Sequence, residues 1–394
     1  MGIEEKSANV KTTLQSIACG GTGGELTAVD SVDGKIVRIR PHRKDDKYTP
    51  EELADSMWEI EVDGHTLRPQ MKSAPNYFAL AYKNRVYSKN RVKYPLKRVD
   101  WEPGGDPAKI NAANRGKSKF KRISWDEALD IMEGELRRII EEYGPYSVLC
   151  IGEDGHRESK DLHAGGGMHA NLMSKLGGYT RETRTPDSVE GWYWGAKHVW
   201  GSGSNKGLGM CAPPQTGYNS WNVIKDISEY SELIAFDAGD WENPQNYGSQ
   251  FLSQVIKFWE ELGKEFVVVD PFCNYTAVCH DTMKWIPILP ATDAAFDFGV
   301  IYVWLTEGLY DKEYVETHTV HFDKMGKEDG VPKDPKWASE RCGVPAWTIK
   351  AYARNVGTKV TSHVHFSSGS VKVPYSHEAG RTGAYKLALQ GLGK

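Results

Sequence analysis

The feature that most restricts the fold is a repeated alternation of short apolar stretches with longer amphipathic stretches, beginning near residue 124. Residues 124–127 (Ser-Trp-Asp-Glu) have the pattern of a capping box, and the helix that they predict ends at Gly144-Pro145. A short apolar stretch, residues 147–151, follows and predicts a strand. Strands that alternate with amphipathic helices are typical of parallel α/β layers.

The same alternation continues towards the end of the chain. Short apolar stretches predict strands at residues 232–236 and 266–269, and the amphipathic residues 250–262 predict a helix that ends at Gly263. Thr292-Asp293 is predicted to cap a helix that runs to Glu307, and residues 345–355 predict a further helix.

Residues 1–120 follow a different pattern, irregular or rich in strands. Residues 28–41 predict two strands around an Asp33-Gly34 turn, which is a strong hairpin signal. We therefore predict a multi-domain α/β chain in which residues 1–120 form a β-rich region and residues 121–394 form doubly wound parallel α/β layers.

Composition excludes several classes of function. Of the 394 residues, 39% are apolar and 26% are charged, and the net charge is -4, so a general nucleic-acid binder is not expected. No apolar run is long enough to span a membrane, and the N-terminus has no export signal. The six cysteines are scattered and form no CxxC pair, which favours a reduced, cytoplasmic setting.

Polar loops follow the predicted strands at residues 237–243, 270–276 and 290–293. In parallel sheets, ligands bind at the carboxyl ends of strands, where carboxylates can accept hydrogen bonds from ribose or a base. The alternative is that each loop is an ordinary strand-to-helix turn, because the same residue types favour turns. The candidate binding residues are Asp240, Glu242, Asn243, Asp270, Pro271, Asn274, Thr276, Thr292 and Asp293.

The order of several motifs is similar to that of a known family. Residues 90–99 and 122–129 resemble the paired signature of the molybdopterin oxidoreductases, the dimethyl sulfoxide reductase superfamily. Residues 267–271 and 290–295 resemble the dinucleotide-binding stretches of that family, and residues 343–354 resemble another of its strings. The resemblance covers most of residues 25–394 and implies the partial fold of that family.

A narrower resemblance rests on residues 185–195, 93–95 and 274–277, which are similar to the large subunits of transhydroxylases that interconvert trihydroxybenzenes. Resorcinol hydroxylases and catechol dehydroxylases remain alternatives. An aromatic cluster, Trp192-Tyr193-Trp194, falls in the first of these segments and suits either a ring-binding wall or a core.

The resemblance implies a cofactor and a set of active-site residues. The cofactor is a bis-molybdopterin guanine dinucleotide that holds molybdenum or tungsten. Ser188 matches the serine whose oxygen ligates the metal, and Asp187 matches the neighbouring active-site aspartate. His156 lies near the position of the active-site histidine, for which His163 and His169 are the alternatives.

The sequence departs from the family pattern in two respects, and each predicts a property of the chain. Only Cys19 lies in the region where many relatives hold an iron–sulfur cluster, so no cluster is expected in this chain and a separate iron–sulfur small subunit is the expected partner. Relatives continue for several hundred residues beyond the point where this chain stops. We therefore expect the C-terminal dinucleotide-binding domain of the family to be absent, as in a fragment of the large subunit.

The resemblance implies an enzyme that transfers or removes hydroxyl groups on polyhydroxylated aromatic molecules. Asp187 and His156 would exchange protons with ring hydroxyls. Two other hypotheses about the function remain open. One is a different oxidoreductase of the same superfamily, and the other is a non-catalytic scaffold subunit that has lost the cofactor.

Overall fold

A computed structural model describes residues 9–16, 26–75, 77–150, 167–181, 190–200, 220–242, 251–322, 329–364 and 369–391. The chain divides into two compact units, which are described separately. The first unit comprises residues 1–42 and 75–184, and the second comprises residues 43–74 and 185–394. In the part of the chain that the structure describes, no helix has the length and apolar character needed to cross a membrane.

The strands and helices are numbered in chain order. The strands are β1 Lys11–Ser16, β2 Leu26–Val32, β3 Lys35–Pro41, β4 Ile60–Val62, β5 His65–Leu67, β6 Leu96–Arg98, β7 Phe120–Arg122, β8 Leu149–Cys150, β9 Thr180–Arg181, β10 Leu233–Asp237, β11 Glu265–Val269, β12 Met283–Ile286 and β13 Thr361–Val364. The helices are α1 Pro50–Leu53, α2 Tyr77–Val86, α3 Pro107–Ile110, α4 Trp125–Tyr143, α5 Gly167–Lys175, α6 Glu190–Trp200, α7 Ser220–Tyr230, α8 Phe251–Glu261, α9 Tyr275–Val278, α10 Asp293–Glu307, α11 Lys312–His318, α12 Pro335–Cys342, α13 Ala346–Gly357 and α14 Ser376–Leu389.

An antiparallel sheet of β1, β2 and β3 lies in the first unit. The predicted hairpin is confirmed, because β2 and β3 pair across Asp33 (φ 48°) and Gly34 (φ 75°), the positive φ values that a tight two-residue turn requires. On β2, burial raises the pKa of Asp30, but hydrogen bonds from Arg40, Thr12 and Arg38 outweigh it and lower that pKa to about 2.

Helix α4 of the first unit forms where the sequence predicts it. The Ser124 hydroxyl accepts a hydrogen bond from the Glu127 amide at 3.0 Å, and Gly144 ends the helix at φ 83°. No residue of α4 is buried. The strand predicted at 147–151 begins later than predicted, because Pro145–Ser147 forms a 3-10 turn. Among the described residues, Leu149 and Cys150 of β8 pair with β9, and residue 151 lies outside that part of the chain.

A four-stranded parallel sheet with the order β12-β11-β10-β13 forms the centre of the second unit. The two predicted strands correspond to β10 and β11, and every residue of β10 is buried. The chain steps from β10 to β11 to β12 in one direction and then places β13 on the other side of β10. This reversal makes the β10–β13 boundary the topological switch point of the sheet.

Helices cover both faces of this sheet, as the doubly wound prediction requires. Leu233 and Ala235 point towards a core that contains α10 and α13, whereas Ile234 and Phe236 point towards a core that contains α8. Alternate residues of one strand therefore bury opposite faces.

Helix α10 runs from Asp293 to Glu307 as predicted, but its cap differs from the prediction. Thr292 occupies the N-cap position without capping the helix, because its hydroxyl donates to the Leu289 carbonyl at 2.6 Å. Farther along α10, the fully buried Trp304 donates its indole N–H to the Ala353 carbonyl at 2.6 Å, which ties α10 to α13.

Candidate functional site

The carboxyl edge of the parallel sheet brings two of the predicted loops together. Ala238 follows the last residue of β10 and adopts φ 58°, a left-handed conformation that turns the chain sharply. Its amide donates to the Val269 carbonyl at the end of β11, at 2.7 Å. The loop after β10 is therefore directed towards the loop after β11.

A hydroxyl and a carboxylate join these two loops. The Thr276 amide and hydroxyl both donate to Asp240 Oδ1, at 3.0 and 2.9 Å. The same Thr276 hydroxyl oxygen accepts a hydrogen bond from the Glu242 amide at 3.1 Å. Thr276 is fully buried, so its contacts are shielded from water. Three of the predicted residues thus lie in one hydrogen-bonded group.

Asn274 and Asp270 shape the second loop. The Asn274 side chain caps α9 by accepting from the Ala277 amide at 2.9 Å, and it donates to the Gly239 carbonyl at 3.3 Å. It also donates to Asp270 Oδ2 at 3.2 Å, while Asp270 Oδ1 accepts from the Phe272 amide at 2.8 Å. Pro271, the remaining predicted residue here, lies within this turn.

Behind Glu242 lies a histidine that the sequence analysis did not select. His280 lies between Glu242 and Glu260, with its Nε2 2.7 Å from Glu242 Oε1 and its Nδ1 2.9 Å from Glu260 Oε2. Ser253 donates to the other oxygen of Glu242. The hydrogen bond to Glu242 is the main reason that the pKa of His280 is raised, although burial opposes it. No local sequence signal marks His280, because its partners are distant in the chain.

Asp293 belongs to a second group, at the switch point of the sheet. Lys386 is completely buried and its Nζ lies 2.6 Å from Asp297 Oδ1 and 3.2 Å from Asp237 Oδ2. His363 on β13 places its Nδ1 3.0 Å from the same Asp237 oxygen. The predicted residues that the structure describes thus lie at two places on one edge of the sheet.

Burial and the neighbouring Asp297 and Asp237 raise the pKa of Asp293 to about 7. Burial lowers the pKa of Lys386, but the same two carboxylates outweigh it and raise that pKa. A small cavity lies against the group, lined in part by Asp237, Asp293, Asp297 and Ser370. The sequence analysis selected neither Lys386 nor His363, because nothing in the residues next to them in the sequence indicates a charged partner.

The remaining predicted residues lie outside the described residues. They are His156, Asp187, Ser188 and Asn243. Helix α6 begins two residues after Ser188, and its Trp192 is buried against Ala196 and Val371, which favours the core role for that tryptophan. Trp194 is exposed.

The described loops fit the nucleoside part of a dinucleotide better than its diphosphate. Asp240 and Asp270 are acceptor-only when ionised, so they suit the N–H and O–H groups of a base and a ribose and repel a phosphate. Burial is the main cause that raises the pKa of Asp270, and Asp240 adds to it. Each Asp270 oxygen accepts one hydrogen bond within the loop and has capacity for another. A donor-rich ligand would therefore stabilise this carboxylate.

Two family profiles match the chain. Residues 25–85 match "Pyrogallol hydroxytransferase large subunit-like, domain 1", and residues 91–370 match "Molybdopterin oxidoreductase". Among curated proteins, the pyrogallol hydroxytransferase large subunit of Pelobacter acidigallici is 33% identical over 396 residues, which cover 95% of this chain and 42% of the relative. Trimethylamine-N-oxide reductase of Pasteurella multocida (strain Pm70) is 29% identical over 310 residues, 73% of this chain and 34% of the relative.

A solved structure, acetylene hydratase from Pelobacter acetylenicus, shares the fold with a TM-score of 0.50 and 23% identity. The match covers 85% of this chain and 42% of the acetylene hydratase chain. The chain thus spans less than half the length of the relatives that it matches. The oxidoreductase profile alone spans well over half of this chain and implies a molybdenum or tungsten pterin cofactor. The chain therefore belongs to the molybdopterin oxidoreductase family.

Proposed function

We propose that the chain is part of the catalytic large subunit of a bis-pterin molybdenum or tungsten enzyme that transfers or removes hydroxyl groups on polyhydroxylated aromatics. The observation that carries this proposal is the 33% identity to a pyrogallol hydroxytransferase large subunit across 95% of the chain. The match of residues 25–85 to the first domain of the same group supports it.

The proposed roles of the active-site residues follow from their chemistry. Ser188 supplies a hard oxygen ligand to the metal, and the bound cofactor supplies the redox chemistry. Asp187 accepts a proton from a ring hydroxyl or holds that hydroxyl by a hydrogen bond. His156 exchanges a second proton with the ring, since imidazole titrates near neutral pH.

The proposed cofactor site occupies residues 121–394, at the carboxyl edge of the sheet. Asp240, Asp270, Asn274 and Thr276 hold the guanosine part, because their loops converge and present acceptors. Glu242 supports this group from behind, since both of its carboxylate oxygens bind side chains of the protein. The other proposed contacts are Asn243, Pro271, Thr292 and Asp293.

The proposed partner is a separate iron–sulfur small subunit, because the similar Pelobacter acidigallici protein is a large subunit. We also propose a cytoplasmic location and the guanine dinucleotide form of the pterin, with no iron–sulfur cluster in this chain. Iron that co-purifies with the chain in a separate polypeptide would support the partner.

The first test is the metal and nucleotide content of the protein purified without oxygen from its own host. We expect about one molybdenum or tungsten per chain and about two guanine nucleotides after acid hydrolysis, as a bis-dinucleotide cofactor requires. Asp187→Asn should keep this content and abolish hydroxyl transfer to a trihydroxybenzene. Asp226→Asn, at an exposed position of α7, is the matched control and should keep full activity.

Other outcomes would favour other functions. Reduction of trimethylamine N-oxide without any dependence on a phenol would favour the reductase class that the 29% identical relatives represent. Turnover of a catechol or resorcinol that consumes or releases electrons would favour a dehydroxylase or a hydroxylase. Absence of both heavy metals from the purified protein would favour a scaffold subunit.

A further inference from the structure

The inference concerns His280 and the two carboxylates that lie on either side of its ring. The side chains of His280, Glu242 and Glu260 are 10%, 12% and 22% exposed. Both ring nitrogens lie within hydrogen-bond distance of a carboxylate oxygen, at 2.7 and 2.9 Å. The three groups therefore form one nearly buried ionic triad, the His280 triad.

The geometry of the His280 triad determines its protonation state. Ionised carboxylates only accept hydrogen bonds, so each ring nitrogen must carry a proton to bind its partner. A neutral imidazole has only one N–H and would direct a lone pair at one of the carboxylates. With both carboxylates ionised, the two contacts are satisfied together when His280 is an imidazolium, which makes both of them charge-assisted hydrogen bonds.

The His280 triad joins three separate segments. Glu242 lies in the loop after β10, Glu260 lies in the last turn of α8, and His280 lies between α9 and β12. From Glu242 the connection continues through its backbone amide to the Thr276 hydroxyl, and from Thr276 to Asp240. The protonation state of His280 is thus coupled to the position of Asp240 through Glu242 and Thr276.

We propose that His280 is a positioning residue whose imidazolium form holds the Asp240 loop in place and so retains the nucleoside end of the cofactor. This inference rests on the proposed function, because it takes Asp240 and Thr276 as part of the dinucleotide site. His280 itself does not contact the cofactor in this proposal.

The charged groups around His280 determine the direction of its pH dependence. In the described part of the chain these are Glu242 and Glu260, with Asp240 and the Cys279 thiol close to Glu242. The pKa of His280 is raised, so its contribution is complete below about 6.5, its ordinary value, and is lost as the pH rises through the raised pKa. Despite burial, hydrogen bonds from His280 and Ser253 lower the pKa of Glu242, so the contribution of Glu242 is lost only in acid.

The protonation state is tested by nuclear magnetic resonance of the full chain labelled with ¹⁵N-histidine. We expect His280 to titrate above pH 6.5, the ordinary value of a histidine, with both ring nitrogens protonated at pH 6.5. His280→Gln assigns its signal. His65→Gln is the matched control, because the His65 side chain is 43% exposed and lies 3.9 Å from Glu261. A His280 that titrates at or below pH 6.5 would overturn the proposal.

The positioning role is tested by cofactor retention. Purified holoenzyme is incubated between pH 6 and pH 9, and the metal and guanine nucleotide that remain bound are measured after gel filtration. Loss of a charge-assisted hydrogen bond should make release from His280→Gln about tenfold faster at pH 6 and remove most of its pH dependence. His65→Gln should behave like the parent protein.

A second variant keeps the test informative if His280→Gln folds poorly. Glu260→Gln keeps the shape of the triad and removes one charge, so the pH at which the cofactor is lost should fall. Unchanged release from both variants, with a parent protein that carries the cofactor, would overturn the inference and leave the proposed function standing. A parent protein without any pterin would overturn the proposed function, and the titration would then decide whether the His280 triad exists.

Discussion

Two helices, one in each unit of the molecule, differ in what they bury. Helix α4 has 19 residues and buries none of them, and its Trp125, Leu129 and Met132 are 66%, 56% and 59% exposed. Helix α10 has 15 residues and buries seven of them between α12, α13 and α14. Helix α10 is apolar on nearly all sides, as a buried helix requires, whereas the apolar residues of α4 lie along one side only. The distribution of apolar residues around a helix therefore indicates how much of it is buried.

The ionic contacts of the two units also differ in how deeply they are buried. In the first unit, the buried Asp30 is paired with Arg38 and Arg40, whose side chains remain 61% and 31% exposed. In the second unit, Lys386 is only 1% exposed and its partners Asp237 and Asp297 are nearly as buried. Exposed pairs contribute little to stability, whereas breaking a buried pair is costly.

The largest expected effect is that of removing the buried cation. Lys386→Met removes the buried cation that contacts both Asp237 and Asp297 and should lower the free energy of unfolding by about 3–5 kcal/mol, measured by chemical denaturation. Lys350→Met, at an exposed position of α13, is the control and should change it by less than about 0.5 kcal/mol. Equal losses of unfolding free energy in the two variants would show that the buried ion pair of the second unit contributes no more to stability than an exposed lysine does.

A matched pair of tryptophans tests the two helices directly. Trp304→Ala on α10 removes a fully buried ring and its hydrogen bond to Ala353, and should cost about 3–5 kcal/mol of unfolding free energy. Trp125→Ala on α4 should cost less than about 0.5 kcal/mol, because the ring is mostly exposed. A cost at Trp125 close to that at Trp304 would mean that the apolar side of α4 is covered in the intact protein.

A smaller effect is expected from the acid at the start of α10. Because the pKa of Asp293 is raised to about 7, the folded state holds its proton more tightly than the unfolded state, and the carboxyl group becomes destabilising as the pH rises from about 4 to about 7. Asp293→Asn should therefore make the protein more stable at pH 8, by roughly 1–2 kcal/mol after allowance for partial solvent screening, and change it little at pH 4.

The control for Asp293 lies in the first turn of the other helix. Asp126→Asn on α4 replaces an exposed acid in a similar helical position and should show no such gain at pH 8. Thermal unfolding across the pH range measures both variants. A parallel response of the two variants would assign the effect to the helix terminus and not to the buried carboxylates around Asp293.

Much of the local structure follows from short-range sequence. Asp33-Gly34 requires positive φ angles that few other pairs adopt easily, so the hairpin follows from two residues. Ser124 and Gly144 define the ends of α4 in the same way. The parallel sheet and the meeting of the loops that carry Asp240 and Thr276 were also predictable, because carboxyl ends of parallel strands share one edge.

The tertiary structure alone decided the pairings of buried charge. Lys386 binds an aspartate 149 positions away, His363 binds the same aspartate from 126 positions away, and His280 binds Glu242 from 38 positions away. It also decided that Thr292 donates to Leu289 and does not cap α10. By itself, the sequence determined which residues turn, cap and alternate, because those preferences act over a few residues. Only the fold determined which charges are buried together, because desolvation and distance depend on the packing of remote segments.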